Sequence, residues 1–198
     1  YRRRTFRIFP AFYTFMAAWI FVLIIANRPV PWAHAGSAFL YISNYYNAIF
    51  GDPNNGFSHT WSLAIEEQFY LLWPTLFLIL VKRPDRMHVV LGLIIASVWV
   101  YRAVLCFAFN VDQGYLYAAF DTRFDSLLVG CLLAVVLHRR LYSGAITSLT
   151  SSPWLPLLTC LVLILAIYFP QISGITIPRY RDVFGFMLTP PLIAILIA

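Results

Sequence analysis

The order of apolar and polar residues along the chain predicts helices long enough to cross a membrane. Long apolar runs alternate with short polar stretches, and no strand-like alternation recurs. Crossing the hydrocarbon core takes about 20 mostly apolar residues in a helix, and barrel strands would alternate instead. The predicted spans are 9–26, 60–81, 89–109, 115–137 and 154–169, with a sixth that begins near Val183. The pattern therefore indicates an all-α, polytopic transmembrane helix bundle.

One apolar stretch, 35–50, is weaker than the others because Asn44 and Asn47 interrupt it. Basic clusters lie at 2–7, 82–86 and 138–140, and such clusters favour the cytoplasmic side of a membrane. If all three are cytoplasmic, the spans alternate correctly only when 35–50 does not cross. We therefore predict a re-entrant or interfacial segment at 35–50 on the outer side. A true span there is the alternative, and it would leave one basic cluster outside.

The composition agrees with a membrane protein. The chain is 61% hydrophobic and 11% charged, with a mean hydropathy of +0.76, whereas a soluble domain is about half apolar and a quarter charged. The net charge of +6 comes from the clusters at the ends of spans, so membrane lipids and no nucleic acid are the expected partners. The three cysteines lie singly in apolar runs, so no metal site is expected. The chain opens without Met and stops inside an apolar run, and we expect one membrane-embedded domain over 1–198, truncated at both ends.

The predicted spans carry ionisable residues at one common depth. In the topology above, these residues all fall in the outer halves of the spans 60–81, 89–109 and 115–137. Ionisable residues inside a membrane usually face the bundle interior, pair with one another and mark function. The set consists of Glu66, Glu67, Arg102, Asp121, Arg123 and Asp125, with His59 at the outer mouth. It predicts a polar functional site, and the alternative is a set of ion pairs that only fix helix packing, such as Glu66 or Glu67 with Arg102, or Asp125 with Arg123.

In the stretch FSHTWSLAIEEQFYLLWP at 57–74, helical spacing places several polar residues on one face. Ser62, Glu66 and Tyr70 are four residues apart and so share one helix face. At the opposite membrane face, Arg4 and Arg7 are three residues apart and could clamp a phosphate group. Anchoring of these two arginines to anionic lipid explains the same pattern equally well.

Three stretches together resemble the acyltransferase-3 family of polytopic membrane acyltransferases: YRRRTFRIFPAF, SHTWSLAIEEQFYLLWP and DTRFDSLLVGCLLA, in that order. The resemblance covers about residues 1–140. It implies transfer of an acetyl or other short acyl group from acyl-CoA to a hydroxyl of an extracytoplasmic carbohydrate or glycolipid. It also implies a multi-pass location in the bacterial cytoplasmic membrane, with acyl-CoA as a substrate and no bound cofactor.

The resemblance and the charge pattern together give a set of candidate site residues. We predict as catalytic Glu66, His59, Arg123 and Asp125, and as contacts of substrate or acyl-CoA Arg4, Arg7, Trp61, Ser62, Gln68, Tyr70 and Arg102. The family also carries an Arg and a His ten residues apart in its first helix, and the His is its presumed base. Nothing in this chain matches that pair, so we expect the chain to begin at the third family helix and to lack the central base.

Two other classes of protein remain open at this level. A transporter would use the buried carboxylates and arginines as a proton relay or an anion path, and a re-entrant segment would suit it. The two halves of the chain, however, show no repeated hydropathy pattern. A purely structural bundle would tolerate neutral replacements of Glu66 and Asp125 together.

Overall fold

The computed structural model describes residues 2–142, 144, 154–172 and 185–197, and within them the regular elements are helices and no strand occurs. The helices are α1 Arg2–Ile25, α2 Trp32–Phe39, α3 Ser43–Phe50, α4 Thr60–Leu80, α5 Pro84–Phe107, α6 Gln113–Ala118, α7 Phe120–Arg123, α8 Asp125–His138, α9 Leu155–Ile172 and α10 Phe186–Ile197. Three of them, α1, α4 and α5, are long and apolar enough to cross a membrane. The prediction of an all-α membrane helix bundle is confirmed.

The observed helices begin and end close to several predicted spans. The predicted span 60–81 is α4, which continues through Pro74. The span predicted at 89–109 begins earlier, at Pro84, because proline at the first helical position and Asp85 in the first turn both favour a helix start. The helix α1 likewise begins within the basic cluster, so those arginines are part of the helix. The predicted start of a sixth span at Val183 lies outside the described residues.

The prediction of one continuous span at 115–137 is wrong. The chain instead forms α6, α7 and α8, and Ala119 between the first two is extended, with ψ 144°. The hydroxyl of Thr122 donates to the carbonyls of Leu116 and Ala119, at 3.1 and 3.0 Å, and so satisfies backbone groups at the break. With 14 residues, α8 is about 21 Å long. Asp121, Arg123 and Asp125 follow the break, but charged residues inside a predicted span do not by themselves distinguish a broken helix from a continuous one.

Residues 32–50 form a hairpin of the two short helices α2 and α3, which we call the hairpin. Each helix has eight residues and is therefore about 12 Å long, too short to cross a core of about 30 Å. Tyr41, in the link between them, has a left-handed backbone with φ 56°. The structure thus agrees with the prediction that 35–50 does not span the membrane.

Helix α1 runs antiparallel to α4 and packs against it and the hairpin. The ring of Phe15 lies 5.1 Å from that of His59, and a Cβ atom on Gly56 would collide with the Trp19 ring. On the other side of α4, a core of Phe69, Leu91 and Leu128 joins α4, α5 and α8. The helix α4 is therefore held from both sides, and its polar residues are positioned by these two contacts.

Candidate functional site

The two adjacent acids of α4 are both paired with Arg4 of α1. Arg4 Nη2 lies 3.4 Å from Glu66 Oε2, and Arg4 Nε lies 3.6 Å from Glu67 Oε1. The same guanidinium lies over the ring of Tyr70, 2.9 Å from its centroid. One cation thus compensates two carboxylates in an apolar helix, where an uncompensated charge would be costly.

This pairing corrects two expectations. The expectation that Arg4 lies at the membrane face opposite Glu66 is wrong, because α1 is displaced along α4 and its N-terminus reaches only to the level of Tyr70. Tyr70 precedes the end of α4 at Leu80 by ten residues, which is about 15 Å of helix. The alternative that Glu66 or Glu67 pairs with Arg102 is also not observed, since both acids use Arg4.

A small cavity brings the second and third sequence stretches together. We call it the Glu66 cavity; its volume is about 150 Å³, and it is lined by Trp61, Ser62, Ile65, Glu66, Arg123, Ser126 and Leu127. The side chain of Glu66 is 47% exposed and that of Glu67 only 18%. Of the two acids, Glu66 therefore borders the cavity together with a basic residue from another helix.

Arg123 forms the other side of this cavity and is held by aromatic rings. Its guanidinium lies 3.8 Å from the centroid of the Phe186 ring and 5.5 Å from that of Tyr117. Such cation–π contacts fix the position of a guanidinium beside aromatic rings. The cavity thus holds a carboxylate and a positive charge on neighbouring walls.

Arg102 and Asp125 form a fully buried ion pair at a distance of 2.7 Å, with side chains 0% and 2% exposed. Arg102 also donates to the carbonyl of Thr122, and the indole of Trp99 donates to Asp125 Oδ2 at 2.9 Å. The alternative pairing of Asp125 with Arg123 is therefore not observed. These contacts tie α5 to the broken segment α7–α8 behind Arg123.

Gln68, His59 and Arg7 lie away from the Glu66 cavity. The Gln68 amide pairs reciprocally with Asn44 of the hairpin, at 2.9 and 3.2 Å, and donates to the carbonyl of Tyr41 at 2.8 Å. His59 is exposed, and it precedes Glu66 by seven positions, which correspond to about 10 Å of helix. Arg7 is exposed on α1. Ser62 lines the cavity and donates to the His59 carbonyl at 3.2 Å.

A second polar cluster, the Asp121 cluster, escaped the sequence analysis apart from Asp121 itself. Asp121 accepts from the hydroxyls of Tyr45, Tyr101 and Tyr115 at 3.3, 2.9 and 3.1 Å. Burial and the nearby carboxylate raise the pKa of Tyr45 to about 12. The three tyrosines come from α3, α5 and α6, so the cluster cannot be predicted from the spacing of residues along the sequence. In the described part of the chain, no three His, Cys, Asp or Glu side chains could together hold a metal ion.

Comparison with known proteins relates the chain to O-acetyltransferases. Over 150 residues, 68% of the chain, it is 33% identical to the peptidoglycan O-acetyltransferase OatA of Listeria monocytogenes, and the match covers 24% of that protein. It is 34% identical over 110 residues, 50% of the chain, to the O-acetyltransferase OatA of Staphylococcus aureus, covering 18% of that protein. The chain thus spans about a quarter or less of the length of these curated relatives. No family model and no solved structure matches the chain.

Proposed function

We propose that the chain is part of a membrane-bound O-acyltransferase of the acyltransferase-3 family. It moves an acetyl or other short acyl group from acyl-CoA to a hydroxyl of an extracytoplasmic carbohydrate, with peptidoglycan as the acceptor that the relatives' names favour. Its location is a bacterial cytoplasmic membrane, which it crosses several times. One observation carries the proposal: Glu66 and Arg123, from two separate motifs, line one cavity.

In the proposed reaction, the acceptor hydroxyl attacks the carbonyl carbon of the thioester. A carbon–oxygen bond forms and the carbon–sulfur bond breaks, so the products are an O-acyl ester and free CoA. Glu66 accepts the proton of the hydroxyl, which then passes to the departing sulfur. A general base of this kind contributes about 10²–10⁴-fold to a rate. Arg123 stabilises the negative charge that develops on the carbonyl oxygen.

The surroundings of these two residues support this division of roles. Arg4 keeps two adjacent carboxylates compensated inside the bundle, while Glu66 still borders the cavity. The hydroxyls of Ser62 and Ser126 lie on the same cavity walls and would orient the acceptor. Among the described residues, no hydrogen bond joins a histidine to Glu66, so we assign the proton to the carboxylate itself.

Other predicted site residues take supporting roles in this proposal. Arg102 and Asp125 are bound to each other and position the helix that carries Arg123. Gln68 positions α4 against the hairpin. Arg4 is engaged by two carboxylates, so contact with the CoA phosphates falls to Arg7, which is exposed.

Replacement of Glu66 by glutamine tests the proposal, with Glu67→Gln as the matched control. Both acids pair with Arg4, but Glu67 does not line the cavity. In membranes that express the full-length protein of which this chain is part, transfer from radiolabelled acetyl-CoA to a peptidoglycan acceptor should fall at least about 100-fold in Glu66→Gln. The loss in Glu67→Gln should be much smaller.

Equal activity of the wild type and Glu66→Gln, at equal protein levels, would overturn the role of Glu66. Absence of acetyl transfer by the wild type, together with acceptor uptake that needs no acyl donor, would favour a transporter instead.

A further inference from the structure

A larger, apolar cavity lies beside the Glu66 cavity, between α8 and α10. Its volume is about 470 Å³, within the range of about 300–1,000 Å³ that is usual for small-molecule sites. Its walls include Val129, Gly130 and Leu133 of α8, and Phe186, Pro190 and Ile193 of α10. Together with Ser126, the α8 positions follow the pattern i, i+3, i+4 and i+7, and the α10 positions are four and three residues apart, so each helix presents one continuous face to the space. We call this space the apolar cavity.

The apolar cavity and the Glu66 cavity share two wall residues, Arg123 and Ser126. The polar residues of the apolar cavity include these two and Asp125, at the end where α8 begins. Away from this end, aliphatic side chains dominate the lining. A molecule that fits both spaces therefore has a polar, electron-rich group at Arg123 and a hydrocarbon chain that extends along α8.

We propose that the apolar cavity holds the hydrocarbon chain of the acyl group that is transferred, with the thioester carbonyl at Arg123. This inference rests on the proposed function and extends it to the substrate: the protein uses acyl donors several carbons longer than acetyl. The Glu66 cavity, at about 150 Å³, has room for the reacting atoms, while the apolar cavity adds space that an acetyl group leaves empty. Each buried methylene favours binding by roughly fourfold.

Gly130 of α8 lines the apolar cavity without a side chain of its own. A Cβ atom at this position would meet no other atom within 4 Å, so a larger side chain can enter the space without colliding with the backbone. Gly92 of α5 is equally open, but it lines a neighbouring apolar space of about 380 Å³, which shares Val129, Leu133 and Ala194 with the apolar cavity and is lined by neither Arg123 nor Ser126. The two glycines thus form a matched pair of positions for filling one space or the other.

The test compares Gly130→Leu with Gly92→Leu in membranes that express the full-length protein of which this chain is part. Acetyl-CoA and octanoyl-CoA are offered separately to the same carbohydrate acceptor, and the ratio of octanoyl to acetyl transfer is measured. We expect transfer of both groups by the wild type, a ratio at least tenfold lower in Gly130→Leu, and an unchanged ratio in Gly92→Leu. Ile193→Ala, which widens the space from α10, should shift the preference towards chains longer than octanoyl.

The failures of the two proposals are distinguishable. Absence of transfer of either group by the wild type would overturn the proposed function. Acetyl transfer without octanoyl transfer would overturn only the inference about chain length, as would an unchanged ratio in folded Gly130→Leu and Ile193→Ala. A membrane lipid that copurifies with the wild type, is lost in Gly130→Leu and leaves the ratio unchanged would assign the cavity to a lipid tail instead.

Discussion

Glu66 and Glu67 are neighbours in sequence with different surroundings. Both share the charge of Arg4, but only Glu66 borders a cavity with a second basic residue. Successive residues of a helix point about 100° apart, so one acid can face the site while the other faces a partner helix. This division explains why two adjacent acids can be kept in one apolar helix.

Arg102 and Asp125 differ from the two glutamates because their side chains are almost completely buried and paired with each other. Removing one member of a buried ion pair leaves an uncompensated charge and costs about 3–5 kcal/mol, whereas removing both is much less harmful. We therefore expect Arg102→Met and Asp125→Leu each to lower the thermal stability of the protein in detergent strongly. The double variant should recover a large part of the loss.

The double variant also separates structure from catalysis. If Asp125 reacts directly, the double variant would be folded and inactive; as a positioning residue, it allows activity to return together with stability. Single variants that unfold no earlier than the wild type would contradict the structural role of the pair.

The hairpin is the element that closes one side of the bundle next to the site. Gln68 of α4 donates a hydrogen bond to the carbonyl of Tyr41 in the link between α2 and α3. His34 of α2 is completely buried. The imidazole is stacked on the Tyr46 ring with 4.8 Å between centroids. Burial lowers the pKa of His34 below 6.5, although Asn55 and Asp52 act in the opposite direction.

A lowered pKa makes the stability of the hairpin depend on pH. Below about 6.5 the unfolded chain binds a proton at His34 that the folded hairpin resists, so the stability contributed by neutral His34 is lost as the pH falls. We therefore expect the unfolding temperature to fall as the pH is lowered from roughly one unit above 6.5 to one unit below it. His34→Phe, which keeps the stacked ring, should show a smaller drop. Identical pH dependence in the two proteins would contradict the burial of a neutral imidazole.

At the scale of the whole molecule, the sequence predicts the helices better than their mutual arrangement. The extent of α4 follows from its apolar run, and the weakness of 35–50 follows from its asparagines. The break at Ala119 is not predicted because it depends on hydrogen bonds from the Thr122 hydroxyl to the carbonyls of Leu116 and Ala119, which leave no trace in hydropathy. Glu66 and Arg123 could be named from motifs, but the partner of Glu66 depends on how far α1 is displaced along α4.

That displacement leads to a last prediction about the whole bundle. If the basic cluster at 2–7 were level with the one at 82–86, antiparallel packing would put Phe15 beside about residue 73. In the structure Phe15 lies against His59 instead, a difference of about 21 Å along the helix.

In a variant whose three native cysteines are replaced by alanine, a short bismaleimide should crosslink Phe15→Cys with His59→Cys. The control pair, Phe15→Cys with Leu72→Cys, should remain uncrosslinked, since Leu72 is exposed and far from Phe15. If the control pair crosslinks and the Phe15–His59 pair does not, Arg4 lies at the membrane face and away from Glu66. The two glutamates would then need another cation to compensate their charge.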